Sequence, residues 1–199
     1  AYISHPIAVA RILAGMHMDH ESIIAAILHD VLEDTLIKRE IISEQFGEEV
    51  AALVDGVSKL AQIDFESRAE AQAENFRKMI MAMVKDIRVI IVKLSDRLHN
   101  MRTLGIMPKV KKRRIAIETL EIYAPIANRL GIHSMYIGLE DLGFKALYPY
   151  RYKVIQAAID KSIGNRNELT QKIEQDLTKA LCELNIPYKK IFGRQKHFY

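Results

Sequence analysis

Apolar residues recur every three or four positions along most of the chain, which is the period of a helix with one buried face. Pro6–Met18 carries Ile7, Val9, Ala10, Ile12, Leu13 and Met16 on one stripe. Glu21–Leu36 reads as one helix, strongly apolar through Ile23–Leu28. Lys38–Phe46 and Glu48–Lys59 read as two further helices, with Gly47 as the stop between them. Gln62–Ala69 is polar and aperiodic and reads as a loop, a candidate switch. Ala71–Val84 and Asp86–Leu104 resume the helical period, and the Met79, Met81 and Met83 cluster reads as core filling. Lys111–Asn128 is another amphipathic helix, with Pro125 placed to kink or restart it. Leu147-Tyr148-Pro149-Tyr150 is a break. Arg151–Leu184 holds one or two helices interrupted near Gly164-Asn165. Ile186–Gly193 is the first strand pattern, β-branched and aromatic. The pattern therefore predicts an all-α domain over 1–147, followed over 148–199 by the start of a mixed domain.

Composition narrows the class. The 199 residues include 49% hydrophobic positions, enough for a real core, and only five prolines and nine glycines. The net charge of +4 is mild: it suits an anionic small substrate and does not by itself argue for nucleic acid. A single cysteine, Cys182, cannot form an internal disulfide and points to the reducing cytoplasm. The longest apolar runs are too short to span a bilayer. The chain opens on Ala-Tyr-Ile and closes on Lys196-His197-Phe198-Tyr199, and so reads as a piece of something longer.

The chemistry concentrates in His29-Asp30-Val31-Leu32-Glu33-Asp34. On a helix these spacings put side chains on neighbouring rows of one surface. Three crowded carboxylates repel one another unless a cation sits among them. His29 and Asp30 alone cannot complete a coordination shell. His5, before Pro6, and Asp96, a charge on an otherwise apolar helix, are the segments that complete it. Two imidazoles and two carboxylates with room for water suit Mn²⁺ ahead of Fe²⁺, Zn²⁺ or Mg²⁺. One cysteine excludes a thiolate-rich zinc site. Glu33 and Asp34 remain to accept a proton from water or to orient it, a hydrolytic arrangement suited to phosphate esters. His17 and His20 share a metal-like spacing but sit at a helix end and read as surface.

The segments Tyr2-Ile3-Ser4-His5-Pro6, His29–Thr35, Asp96–Thr103 and Glu118–Gly131 together resemble the HD-type hydrolase domain of the RelA/SpoT family, the stringent-response enzymes that make and degrade guanosine tetra- and pentaphosphate. Gly193–Tyr199 resembles the opening of that family's synthetase domain. The resemblance implies an all-α HD phosphohydrolase bundle leading into an α/β synthetase domain. It implies Mn²⁺ on His5, His29, Asp30 and Asp96, and Glu33 and Asp34 acting on the attacking water and the 3′-diphosphate. Asn100 and Thr103 match positions that contact the nucleotide. Members that have lost hydrolysis have lost the HD and ED residues, and this chain keeps them. The family also carries a basic stretch upstream of the Tyr-Ile-x-His segment that is not in this chain. The implied partners are the guanosine polyphosphate and the adjacent synthetase and regulatory domains, with neither nucleic acid nor membrane contacted by this fragment.

Other residues carry two readings. Lys59, after Ser58, is placed to aim a cation at phosphate. Arg97 either contacts substrate or forms a structural ion pair beside Asp96. His99 reads as packing or as support behind a ligand. Lys109, Lys111, Lys112, Arg113 and Arg114 form a basic run that either attracts a polyphosphate or is a solvated helix face. Two rival functions stand beside hydrolysis of the guanosine polyphosphate. One is an HD phosphohydrolase of another nucleotide. The other is a hydrolytically silent metal- or nucleotide-binding module gating the synthetase.

Overall fold

The computed structural model describes residues 3–61, 81, 85–163 and 166–191, and it divides into two units, Ala1–Gly143 and Phe144–Tyr199. The loop read over Gln62–Ala69, the Gly164-Asn165 break and Gly193–Tyr199 lie outside the described residues, as does all of the Ala71–Val84 helix but Met81, which is exposed rather than core.

In the first unit, α1 (Ser4–Gly15), α2 (His20–Leu28), the short α3 (Val31–Asp34), α4 (Arg39–Phe46) and α5 (Glu48–Ala61) precede α6 (Ile87–Thr103). α6 is the central rod, packed by α1, α2 and α5. Val9, Leu13, Ala25, Ala26, Leu53, Val54, Val57, Ile90, Val92 and Leu94 form the dry interior between them. Their three-to-four spacing is the stripe read from the sequence, and its removal from water is what holds the helices together.

Polar caps set the helix entries. Asp19 accepts from the Ser22 N–H at 2.8 Å and starts α2, while Asp86 accepts from the Arg88 N–H at 2.9 Å and starts α6. Arg88 then reaches Asp86 at 2.6 Å, Glu49 at 2.7 Å and Asp19 at 3.3 Å, joining the beginnings of three helices. α1 ends earlier than its apolar stripe, because His17 adopts φ 58°. Gly47, at φ 90°, turns the chain between α4 and α5 where a side chain would be strained. Gly56 serves the interior: a Cβ there would lie 2.9 Å from Val89 Cγ2, so α5 and α6 approach closely because the side chain is missing.

The segment read as one helix over Lys111–Asn128 is three pieces: α7 (Lys109–Glu118), a π turn over Thr119–Tyr123, and α8 (Ala124–Arg129). Pro125 has no N–H to return to the preceding turn, and the chain widens just before it, with the Ala124 N–H bonding Thr119 O. α9 spans His133–Leu147.

In the second unit, α10 (Pro149–Ile163) and α11 (Arg166–Glu183) follow after the single residue Tyr148. Leu169, Ile173 and Leu177 lie four apart on α11 and are all exposed. The strand read over Ile186–Gly193 is not formed: residues 186–191 are neither helix nor strand. No strand exists among the described residues to pair with it, and a lone strand has no ladder to stabilise it.

Candidate metal centre

The helix read over Glu21–Leu36 breaks at the two residues that matter most. His29 ends α2, and Asp30 sits at φ −94°, ψ −5°, a sparsely used backbone region common at functional sites. At this junction His29 Nε2 and Asp30 Oδ1 lie 3.1 Å apart.

His5 arrives from the first turn of α1 and Asp96 from the middle of α6. His5 Nε2 lies 3.3 Å from His29 Nε2, 3.3 Å from Asp96 Oδ1 and 3.8 Å from Asp30 Oδ2. His29 Nε2 is 3.8 Å from Asp96 Oδ1. One ligand atom each from His5, His29 and Asp96 thus falls within 4.8 Å of the others. His29 is fully buried, and its Nδ1–H donates to the Ala26 carbonyl at 2.8 Å, so in the neutral ring Nε2 presents a lone pair. Lone pairs then point at lone pairs and carboxylates, an arrangement that is stable only with a positive charge at its centre. The residues fit a divalent cation of the N/O-binding kind.

Without a cation, a proton takes that place. Burial would lower the His29 pKa, but Asp30 and Asp96 overcome it and push it up to about 10. Burial likewise works against ionisation of Asp96, yet His29, His5 and Lys93 hold its carboxyl well below the ordinary 3.8. Asp96 and His5 are contacted from behind by residues of α6. Asn100 Nδ2 donates to Asp96 Oδ1 at 2.6 Å, and Lys93 Nζ bonds Asp96 Oδ2 at 3.0 Å. His99 Nδ1 meets His5 Nδ1 at 2.7 Å. Residues 93, 96, 99, 100 and 103 occupy one face of α6, while Leu94, Leu98 and Met101 fill the interior.

Glu33 and Asp34 stand on α3, whose amides fold back onto Asp30 O at 3.1 and 2.9 Å. Burial raises the Glu33 carboxyl above its ordinary 4.5 and nearby Asp30 and Asp34 add to it, against the Ser58 hydroxyl and the Lys93 charge. Glu33 therefore faces Ser58 and Lys93. Lys59 bonds Asp55 at 2.6 Å along α5 with its ammonium largely in water, and Thr103 Oγ1 donates to the carbonyls of His99 and Asn100 at 3.1 and 3.3 Å. Arg97 turns to the neighbouring helix: it bonds both oxygens of Glu118, at 2.9 and 3.3 Å, and stacks 4.1 Å over the Tyr123 ring. His20 pairs with Glu21 in solvent, and the basic run lies on the outer turns of α7, where Lys112 Nζ caps Gly105 O. Lys93 escaped the sequence reading. Its signal was a lysine inside Ile90–Leu94, three residues before Asp96.

The HD domain family matches residues 1–133 of the chain. The chain belongs to the HD domain family. Over its whole length it is 57% identical to the bifunctional (p)ppGpp synthase/hydrolase SpoT of Escherichia coli (strain K12), and 47% identical to the guanosine-3′,5′-bis(diphosphate) 3′-pyrophosphohydrolase of Aquifex aeolicus. It spans 28% of the length of each. A solved structure described as a metazoan ortholog of SpoT that hydrolyzes ppGpp is similar at a TM-score of 0.52 and 26% identity, over 72% of this chain and 80% of that one. These matches agree with the RelA/SpoT resemblance carried by the motifs. Among the described residues no helix is long and apolar enough to cross a membrane.

Proposed function

We propose that this HD domain removes the 3′-diphosphate of guanosine 3′,5′-bis(diphosphate), or of the pentaphosphate, by Mn²⁺-dependent hydrolysis. The observation that carries the reading is the meeting of His5 Nε2, His29 Nε2 and Asp96 Oδ1 within 4.8 Å, with Glu33 and Asp34 on the next turn of chain after Asp30. A divalent cation held by His5, His29, Asp30 and Asp96 would supply an acidified water and neutralise phosphate charge. In the overall reaction the water oxygen forms a bond to the phosphorus on the 3′ oxygen, the P–O3′ bond breaks, and the 3′ oxygen leaves with a proton. GDP or GTP and diphosphate result.

Glu33 is suited to receive the water's proton, because burial raises its carboxyl above the ordinary 4.5 and makes it a stronger base. Asp34, the next residue on α3, is placed to orient the water. Asn100 keeps Asp96 aimed at the centre and, with Thr103, lies on the α6 face where the nucleotide would pass. Relatives named as (p)ppGpp hydrolases, matched along 100% of this chain, support the substrate. On the same reading the residues after about 147 begin a synthetase domain, further domains follow, and the enzyme works in the cytoplasm.

The test is turnover by Mn²⁺-loaded protein of guanosine tetraphosphate against dATP and other nucleotides, with products separated by ion exchange. Diphosphate and GDP from the guanosine substrate alone are expected, and Asp34→Ala should abolish them. Equal turnover of dATP would reassign the substrate, and an Asp34→Ala variant with the parent rate would remove the catalytic assignment. Mn²⁺ binding without turnover of any nucleotide would favour a silent regulatory module.

A further inference from the structure

Of the three donors that meet within 4.8 Å, His5, His29 and Asp96, His5 is the most exposed. It sits on the first turn of α1, and its side chain is 26% exposed where His29 is fully buried. First turns fray, because their amides lack partners within the helix. The other two of this trio are held from behind: His29 by the Ala26 carbonyl on its Nδ1, and Asp96 by Asn100 and Lys93. Behind His5 the partner is another imidazole. His99 Nδ1 lies 2.7 Å from His5 Nδ1, with the ring centroids 4.8 Å apart and the planes tilted by 49°. Tilted rings meeting through nitrogens at this distance are hydrogen-bonded, not stacked.

We propose that His99 is the positioning residue for His5: its bare Nδ1 accepts the His5 Nδ1–H and so holds His5 Nε2 toward the cation. This rests on the metal-centre reading above. The proton arithmetic follows from the two rings. A neutral imidazole carries one N–H. His5 can ligate through Nε2 only if that N–H is on Nδ1, so the shared contact requires an acceptor on His99, whose own N–H is then on Nε2. His99 lies three residues after Asp96, on the same face of α6. One helix thereby supplies one ligand directly and sets the orientation of a second ligand borne by α1.

The experiment titrates Mn²⁺ into metal-free protein by calorimetry, for the parent, His99→Phe, His99→Asn and His29→Ala. Phenylalanine keeps the ring and removes the acceptor, whereas the asparagine amide oxygen restores an acceptor close to the Nδ1 position. His99→Phe should weaken Mn²⁺ binding roughly 10- to 100-fold, and His99→Asn should recover most of it. Zn²⁺-loaded protein supplies a second readout by ¹⁵N NMR: a protected His5 Nδ1–H in the parent, exchanging rapidly in His99→Phe. Undiminished Mn²⁺ affinity in His99→Phe overturns the proposal, and so does equal weakening in the phenylalanine and asparagine variants. If His99→Phe does not fold, an unprotected His5 Nδ1–H in the parent overturns it. Parent and His29→Ala binding Mn²⁺ alike would instead remove the metal centre itself, which separates the two failures.

Discussion

Stripped of divalent cations, the first unit should lose stability as pH rises from about 6.5 to about 10, and His29 is the reason. Its folded-state pKa of about 10 exceeds the ordinary 6.5 because Asp30 and Asp96 outweigh burial. A raised folded pKa means that the native state holds a proton the unfolded chain releases. The stabilisation is therefore full below 6.5 and gone above about 10, falling by about 1.4 kcal/mol per pH unit between them. The whole interval is worth at most about 5 kcal/mol, and the His29–Asp96 attraction inside it is counted once, although both groups shift. Asp96, whose pKa is depressed, contributes at the opposite end: its share is present above 3.8 and lost as pH falls below that value. The assay is urea unfolding of chelator-treated protein from pH 6 to 10, with His29→Gln as the reference that subtracts other titrating groups. Saturating Mn²⁺ should flatten the alkaline slope, because the ion takes the proton's place. Mn²⁺ affinity should in turn climb about tenfold per pH unit over the same window, one proton being displaced per ion. A metal-free parent whose stability is flat from pH 6.5 to 9, or one parallel to His29→Gln, would refute the electrostatic account of the centre.

Three further outcomes follow from the packing. Lys93→Met removes the ammonium that bonds buried Asp96 and should cost about 3 kcal/mol in chemical unfolding of metal-free protein; a loss under 1 kcal/mol would mean the charge is not buried as described. Gly56→Ala gains about 1 kcal/mol of helix propensity but sets a Cβ 2.9 Å from Val89, a stiff and buried side chain. The net should be a lower melting temperature, and a higher one would show that α5 and α6 can part at little cost. Arg97→Met breaks the contacts to Glu118 and Tyr123 and should lower stability by about 1–3 kcal/mol while leaving KM for guanosine tetraphosphate unchanged. A KM that rises with intact stability would return Arg97 to the substrate.

The apolar period carried most of the helices. α4, α5 and α6 lie within two residues of where Ile42, Val54 and Ile90 place their stripes, because a helix buries whatever recurs every three to four positions. The same local logic misplaced three features. It ran a helix through His29-Asp30, which continues the apolar and helical pattern without a glycine or proline to mark the break. It saw Pro125 as a kink but not the π turn ahead of it. It read Ile186–Gly193 as a strand from β-branched composition, although a strand is completed by a partner and not by its own residues.

For the site, residue types alone named His5, His29, Asp30, Glu33, Asp34 and Asp96 as a group, since such chemistry is costly on apolar helices unless used. Which way each polar side chain turns was not available from spacing. Arg97 and Lys59 sit beside the site in sequence yet bond Glu118 and Asp55, while Lys93, inside an apolar run, reaches Asp96. The sequence by itself determined a helical domain and a set of residues suited to a metal, because periodicity and residue chemistry are local properties. Only the tertiary structure decided that His5, His29, Asp30 and Asp96 converge, and that α6 residues contact both Asp96 and the α1 residue His5. Both depend on distances between atoms far apart in the chain.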